Sequence, residues 1–248
     1  MPTPFTHLET AQRLLIDPAL PDAVRTALHD DCPAFLLGSI AADARTSAAI
    51  RREATHFYLQ DYLPKTAAWR TMLKLHPSMN PPHSAAHRAF VAGYAAHLRI
   101  DEIWSDQMLI RRFTEGNWLT LHRRFVMLHI LLIYMDERDA ARLEHWQPQT
   151  LLTAAPDRWA PFLPDSALCG WRDFVAGQIL PGGVSQTLDV FGNRTGFPPE
   201  YLREMLDSAE TMQNDLWAYI TPQTLAKVEA DMYASAREEL LRYWDESH

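Results

Sequence analysis

Phe90-Val91-Ala92-Gly93-Tyr94-Ala95-Ala96-His97-Leu98-Arg99-Ile100-Asp101-Glu102-Ile103-Trp104 is the stretch on which the reading of this chain turns. It reads as a helix. His97 and Asp101 stand four residues apart, so both side chains project from one face, one above the other. Phe90, Tyr94 and Trp104 share that face. An imidazole and a carboxylate inside an apolar stripe are costly to bury unless something pairs with them. Two arrangements satisfy both. One is a His–Asp hydrogen bond inside a helical core. The other is a divalent metal, for which histidine nitrogen and aspartate oxygen are standard ligands.

The segments on either side follow the same helical periodicity. Thr6 is expected to cap a first helix running to about Ile16, with Glu9 as a capping-box partner, and Asp17-Pro18 ends it. A short helix is expected from Asp22 to His29. Pro33 opens an apolar segment that runs through Leu36-Leu37-Gly38-Ser39-Ile40-Ala41-Ala42 to Asp43. Ser47 is read as the start of a helix carrying Ile50, Ala54, His56 and Phe57. Pro77, Pro81 and Pro82 form a break before the central helix, which spans about Ser84 to Trp104. One or two helices lie between Arg111 and Met135, and Pro148 to Pro164 is read as a connector. Pro181-Gly182-Gly183 and Gly192 to Pro199 read as loops. Pro198 or Pro199 starts another helix, and a long amphipathic one runs from Pro222 to Trp244. No alternating strand pattern, internal repeat or low-complexity segment is seen. The expectation is a multi-helix all-α fold in one domain over residues 1–248. Its metal-binding half would reach about residue 140, and its C-terminal helices would lie at about 165–245.

Composition agrees with that fold. The chain has 248 residues, 47% of them hydrophobic, which is enough for a sizeable core. Glycine is scarce at 9 and proline common at 17, which suits helices separated by proline-marked loops. The formal net charge of −8 argues against a nucleic-acid binder that relies on a broad basic face. Cys32 and Cys169 form no Cys-x-x-Cys pair, so neither a disulfide framework nor a cysteine zinc site is read from them. No signal peptide is visible, and the longest apolar run near the middle, Phe125 to Met135, is too short to span a bilayer. The expectation is a soluble, cytoplasmic protein with no transmembrane segment and no nucleic-acid partner.

Five residues are candidates for one metal centre: His7, Asp43, His56, His97 and Asp101. Each also has an ordinary reading. His7 sits in a first helical turn where it can be solvated, Asp43 can cap a following helix, and a lone His56 on a helix is commonly hydrogen-bonded or at the surface. Their order and setting, however, resemble the zinc-dependent phospholipase C family, itself similar to the S1/P1 type of zinc nuclease. The resemblance rests on Thr6-His7-Leu8, on Leu36 to Asp43, on the pair His56-Phe57, and on Gly93-Tyr94-Ala95-Ala96-His97 running to Asp101. It covers roughly the first 105 residues. It implies an all-α fold with metals held between helices. Asp43, His56, His97 and Asp101 would form one zinc site, and Asp101 would bridge to a second ion that His7 also holds. Asp43 would double as the base that orients the attacking water. Bridged ions about 3.5–4 Å apart lower the pKa of a bound water and steady both oxygens of a phosphoryl transfer.

Three departures from the family pattern stand out. No histidine follows Asp101 until His122, so the family's third site lacks its residues; His122, His129, Asp136 and Glu137 are the only candidates for an altered one. The family's metal-ligating N-terminal amine has no counterpart readable here. Ala42 replaces the proline usual before the aspartate, which alters backbone shape and not ligation.

Other groups carry less. His83 and His87 are four apart but flank the proline break, where exposure is expected. His29-Asp30 lacks the surroundings of an HD-type phosphohydrolase. Arg111-Arg112 and Arg123-Arg124 are either phosphate clamps or solvated helix faces. Trp69, Trp118, Trp159, Trp171 and Trp244 are expected in the core or at interfaces. No Walker loop, Rossmann glycine pattern or Gly-x-Ser-x-Gly elbow is present. The resulting expectation is a zinc-dependent phosphoesterase binding one or two ions, with other divalent metals acceptable, acting on a small-molecule or lipid-like phosphoester. A non-catalytic helical protein with a structural metal, and a metal hydrolase of a non-phosphate ester or amide, are the alternatives.

Overall fold

The computed structural model describes residues 1–59 and 64–247. The expected all-α class holds: among the described residues there are thirteen α-helices and no strand. They are α1 (Pro4–Leu15), α2 (Asp22–Asp30), α3 (Cys32–Ile40), α4 (Glu53–His56), α5 (Ala68–Leu75), α6 (Ala85–Trp104) and α7 (Leu121–Ala140). The remainder are α8 (Gln147–Leu152), α9 (Asp165–Ile179), α10 (Thr187–Thr195), α11 (Pro199–Asp207), α12 (Ala209–Thr211) and α13 (Pro222–Glu246). A 3-10 segment, Ala41–Ala48, continues α3, and wider π-helical turns cover Ser105–Thr114 and Met212–Trp217.

Helix α6 is the axis of the molecule. The hydroxyl of Ser84 caps it by accepting from the His87 amide at 3.0 Å. Only Ala85, Ala86, Arg88 and Arg99 along its length are not buried. Its main neighbours are α3 on one side and α13 on another. Helix α3 is nearly as enclosed, with Pro33 its only residue not buried. The two helices approach so closely because Gly38 and Gly93 lie at the crossing. A Cβ on Gly38 would fall 2.0 Å from the Phe90 carbonyl oxygen, and one on Gly93 would fall 2.3 Å from that of Phe35. One cluster of buried apolar side chains extends from Phe5 to Tyr243, so both halves of the chain share a core. No described helix is long and apolar enough to cross a membrane.

Three local expectations are corrected. Thr6 does not cap α1; the helix begins at Pro4, and the Thr6 hydroxyl donates instead to Asp139 Oδ2 at 2.7 Å, tying α1 to α7. The helix expected from Ser47 does not form. Ala49 turns into the left-handed region with φ 52°, and only the short α4 follows, ended by Phe57 at φ 62°. The apolar spacing of Ile50, Ala54 and Phe57 imitated a helix that the backbone interrupts. Finally, α8 and α10 occupy parts of the stretches read as a connector and a loop; α10 runs through Gly192 and stops at Gly196, whose φ of 75° suits glycine.

Candidate metal centre

All five sequence-derived candidates meet at one point. Helix α1 brings His7, the 3-10 segment brings Asp43, α4 brings His56, and α6 brings His97 and Asp101. Side chains of His7, His56, His97 and Asp101 are wholly buried, while Asp43 keeps 20% of its side chain exposed. His7 is therefore not the solvated residue that its place in a first turn allows. Asp101 faces two ways. Its Oδ1 lies 3.5 Å from His7 Nε2, and its Oδ2 lies 3.1 Å from His56 Nε2 and 3.7 Å from His97 Nε2. Asp43 Oδ1 is 3.7 Å from His56 Nε2. The His7 and His97 rings stack with centroids 3.8 Å apart.

Neighbouring groups fix which nitrogen of each ring faces inward. His97 Nδ1 lies 2.9 Å from the Ser39 carbonyl oxygen. A carbonyl only accepts, so Nδ1 carries the proton and Nε2 presents a lone pair to Asp101. That carbonyl is where it is because the glycine crossing lets α3 lie against α6. His56 follows the same logic one step removed. Thr55 gives its hydroxyl proton to the Arg52 carbonyl and accepts from His56 Nδ1 at 3.0 Å, which turns His56 Nε2 towards Asp101. The Tyr94 hydroxyl donates to the Thr55 carbonyl at 2.8 Å and so ties α4 to α6.

Electrostatics reinforce this arrangement. Burial, then the charge of His7, pulls the His97 pKa down to about 3, so its imidazole is neutral. Burial alone would raise Asp101, yet contacts with His56 and His7 hold its carboxyl well below the usual range. Asp43 is also lowered, because His56 and His97 outweigh its burial. The result is a neutral His97 whose Nε2 faces Asp101, beside two carboxylates, Asp43 and Asp101, that are held ionised. His7 Nδ1 and Nε2, His56 Nε2, His97 Nε2 and Asp101 Oδ1 are buried with no hydrogen-bond partner among the described residues. Buried polar atoms are rarely orphaned in folded proteins, and the Nε2 lone pair of His97 facing an ionised Asp101 is repulsive. A divalent cation resolves both conditions. Two ion-sized groupings are present, His7 with His97 and Asp101, and Asp43 with His56 and His97, each with ligand atoms within 4.8 Å of one another. The donor set of imidazole nitrogens and carboxylate oxygens is one that zinc accepts.

The sequence did not single out the groups that support these ligands. Arg52 reaches Asp101 Oδ2 at 3.4 Å and the Tyr58 hydroxyl at 2.9 Å, limiting how much negative charge stays uncompensated. Its spacing of four residues before His56 was the available signal. Ser39 and Thr55 act through bonds that no sequence pattern reveals.

The altered third site does not assemble. His122 is exposed beside Phe197, and His129 Nδ1 bonds the Phe125 carbonyl one turn back at 2.7 Å. Asp136 accepts from the Thr187 hydroxyl at 2.6 Å, and Glu137 pairs with Arg203 at the surface. His83 is exposed as expected, but His87 is buried and held by the Trp159 carbonyl at 2.9 Å. His29 bonds the Leu15 carbonyl. Among the arginine pairs, Arg111 and Arg123 are engaged by Asp106 and Asp215, Arg124 by backbone carbonyls, and Arg112 is an exposed residue. Trp171 packs against the core, its indole donating to the Ile40 carbonyl at 2.9 Å, and also lines a cavity of about 170 Å³ that reaches Asp43.

Compared with protein-family models, curated proteins and solved structures, the chain has no significant match.

Proposed function

We propose that this chain is a metal-dependent hydrolase that cleaves a phosphate ester with a metal-activated water. Zinc suits the donors, and a His/Asp set accepts other divalent metals as well. The support comes first from the orphaned polar atoms of His7, His56, His97 and Asp101 meeting beside a cavity edge at Asp43. A purely structural zinc is closed by four protein ligands, whereas a catalytic one keeps a side open. Here the Asp43 side is that opening. The order of the five residues, which resembles that of the zinc-dependent phospholipase C and P1 nuclease group, adds to the reading.

A bound divalent pair would supply a water of lowered pKa and positive charge for the phosphoryl oxygens. The protein's part is to hold that chemistry in place. Asp101 offers one oxygen towards His7 and the other towards His56 and His97, the layout of a bridging carboxylate. Ser39 and Thr55 lock His97 and His56 in the tautomers that ligate. Asp43, the one partly exposed carboxylate, is placed to accept a proton from a water entering by the cavity. Arg52 reaches Asp101 Oδ2 at 3.4 Å, the same oxygen that faces His56 and His97, and adds a positive charge beside it.

Elemental mass spectrometry on untagged protein tests this, run beside hydrolysis of a phosphodiester, a phosphomonoester, a carboxylic ester and an amide. About two ions per chain are expected, with loss of metal and phosphoester hydrolysis together in His97→Ala. Full activity in that variant would sink the mechanism. Metal without any hydrolysis would favour a structural site, and cleavage of the ester or amide alone would move the chemistry to carbonyl carbon.

A further inference from the structure

The cavity beside Asp43 is lined by two arginines that take no part in the metal-ligand cluster. Its lining includes Arg45, Arg52 and Arg194 together with Phe5, Trp171, Phe174, Val190 and Phe191, and the Arg194 guanidinium lies 5.3 Å from the Phe191 ring centroid. Arg52 is committed to Asp101 and Tyr58. Arg45 and Arg194 are different: neither forms an ion pair with a carboxylate among the described residues, and Arg45 Nε is buried without a hydrogen-bond partner. The two arginines are near enough to repel, and Arg194 also feels the charge of Asp43. Asp136, the other acid in the lining, is occupied by the hydroxyls of Thr187 and Ser185. Two neighbouring guanidiniums that share a half-enclosed space and form no ion pair are unfavourable unless an anion joins them. Guanidinium forks match phosphate oxygens better than any other side chain does.

Resting on the hydrolase reading above, we propose that the substrate is a small dianionic phosphomonoester. Its phosphoryl oxygens lie between Asp43 and the guanidiniums of Arg45 and Arg194, and its compact apolar substituent lies against Trp171, Phe174, Val190 and Phe191. The charge balance decides for a monoester over a diester. With divalent ions at the cluster, the positive charge far outweighs Asp43, Asp101 and Asp136. A diester brings a single negative charge to that surplus, and a monoester brings two. The reaction balances with water alone: the P–O bond to the substituent breaks, a P–O bond to water oxygen forms, and the proton of that water passes through Asp43 to the leaving alcohol.

Binding of phenylphosphonate tests the proposal without relying on turnover. Its monomethyl ester serves as the monoanionic comparison, both measured calorimetrically where the phosphonate is fully ionised. The protein is used as purified, and again after chelation. Phenylphosphonate should bind at least about tenfold more tightly than its methyl ester, and the R45Q/R194Q variant should lose about that factor while keeping its metal content. Equal affinity for the two ligands, no binding of either, or unchanged affinity in the variant overturns the proposal. Failure here with metal present and diesters cleaved leaves the hydrolase reading intact. Arginine-dependent binding that survives chelation in a protein carrying no metal as purified supports the anion site and removes the hydrolase reading.

Discussion

Asp101 and Asp136 are both buried acids, yet their neighbours drive them in opposite directions. Imidazoles keep Asp101 ionised, whereas burial raises Asp136 to about 6 against the hydroxyls of Thr187, Thr3 and Ser185 that oppose the rise. The sign follows from linkage. A carboxyl whose pKa is higher folded than unfolded binds more protons in the folded state between about 4 and 6, so its contribution to stability falls as pH rises through that window. Asp136→Asn keeps an acceptor for Thr187 and removes the charge. At pH above 7 the variant should be the more stable protein by about 1–3 kcal/mol, and the advantage should vanish below pH 4. Thermal melts of both proteins across that range check this; a constant gap would refute the assignment. At this scale much of the site was legible. His97 and Asp101 announced themselves by sharing a helix face, and His7, Asp43 and His56 by the pattern in which they accompany it. Arg45 and Arg194 did not, because an arginine in a loop or at a helix end looks like any solvated cation until the fold encloses it.

Among the elements, the α3–α6 crossing connects packing to chemistry. Gly93 is needed because a Cβ there would meet the Phe35 carbonyl at 2.3 Å and the Ser39 amide nitrogen at 2.8 Å, both backbone atoms. Separating the helices would also draw the Ser39 carbonyl away from His97. Gly93→Ala should therefore cost about 2–3 kcal/mol or more, lower Tm by roughly 5–10 °C, and weaken metal binding along with it. Gly177 in α9 provides the contrast: a Cβ there meets nothing within 4 Å. Gly177→Ala should leave metal content unchanged and raise stability by up to about 1 kcal/mol through helix propensity. Denaturation midpoints and metal analysis of the two variants decide the matter. The sequence located α6 and the opening of α11 and α13 well, since a serine, a proline and a threonine–proline pair mark their starts. It misjudged the region after Asp43, where left-handed turns at Ala49 and Phe57 use no glycine and leave no compositional trace.

Across the whole molecule, the ligand cluster is a tie between segments far apart in the chain. α1, the 3-10 segment, α4 and α6 converge on it, and α4 has only four residues of its own to hold it there. Any ion that binds the folded chain and not the unfolded one adds stability by mass action, about 2.7 kcal/mol at a hundredfold excess over Kd. Adding zinc to chelated protein should raise Tm by several degrees. Asp101→Asn should abolish that rise, and a similar rise in the variant would place the ion elsewhere. The shared core and the all-α class were legible from periodicity and proline placement. Which residues of the second half line the cavity was not, because Thr187, Phe191 and Arg194 reach it through the tertiary placement of α10, which packs against α7 and α11.

The five candidate ligands come from the first 101 residues, while Trp171, Phe174, Val190, Phe191 and Arg194 of the cavity wall come from α9 and α10. Candidate ligands and much of the cavity wall are thus encoded in different stretches of the chain, although wall residues such as Phe5 and Arg45 share the ligands' stretch. On the proposed hydrolase reading, substitutions in α10 would retune which molecule is accepted without replacing a candidate ligand, whereas α9, packed on the 3-10 segment that carries Asp43, couples the wall to the cluster, so a lineage carrying this fold would change its substrate most freely through α10.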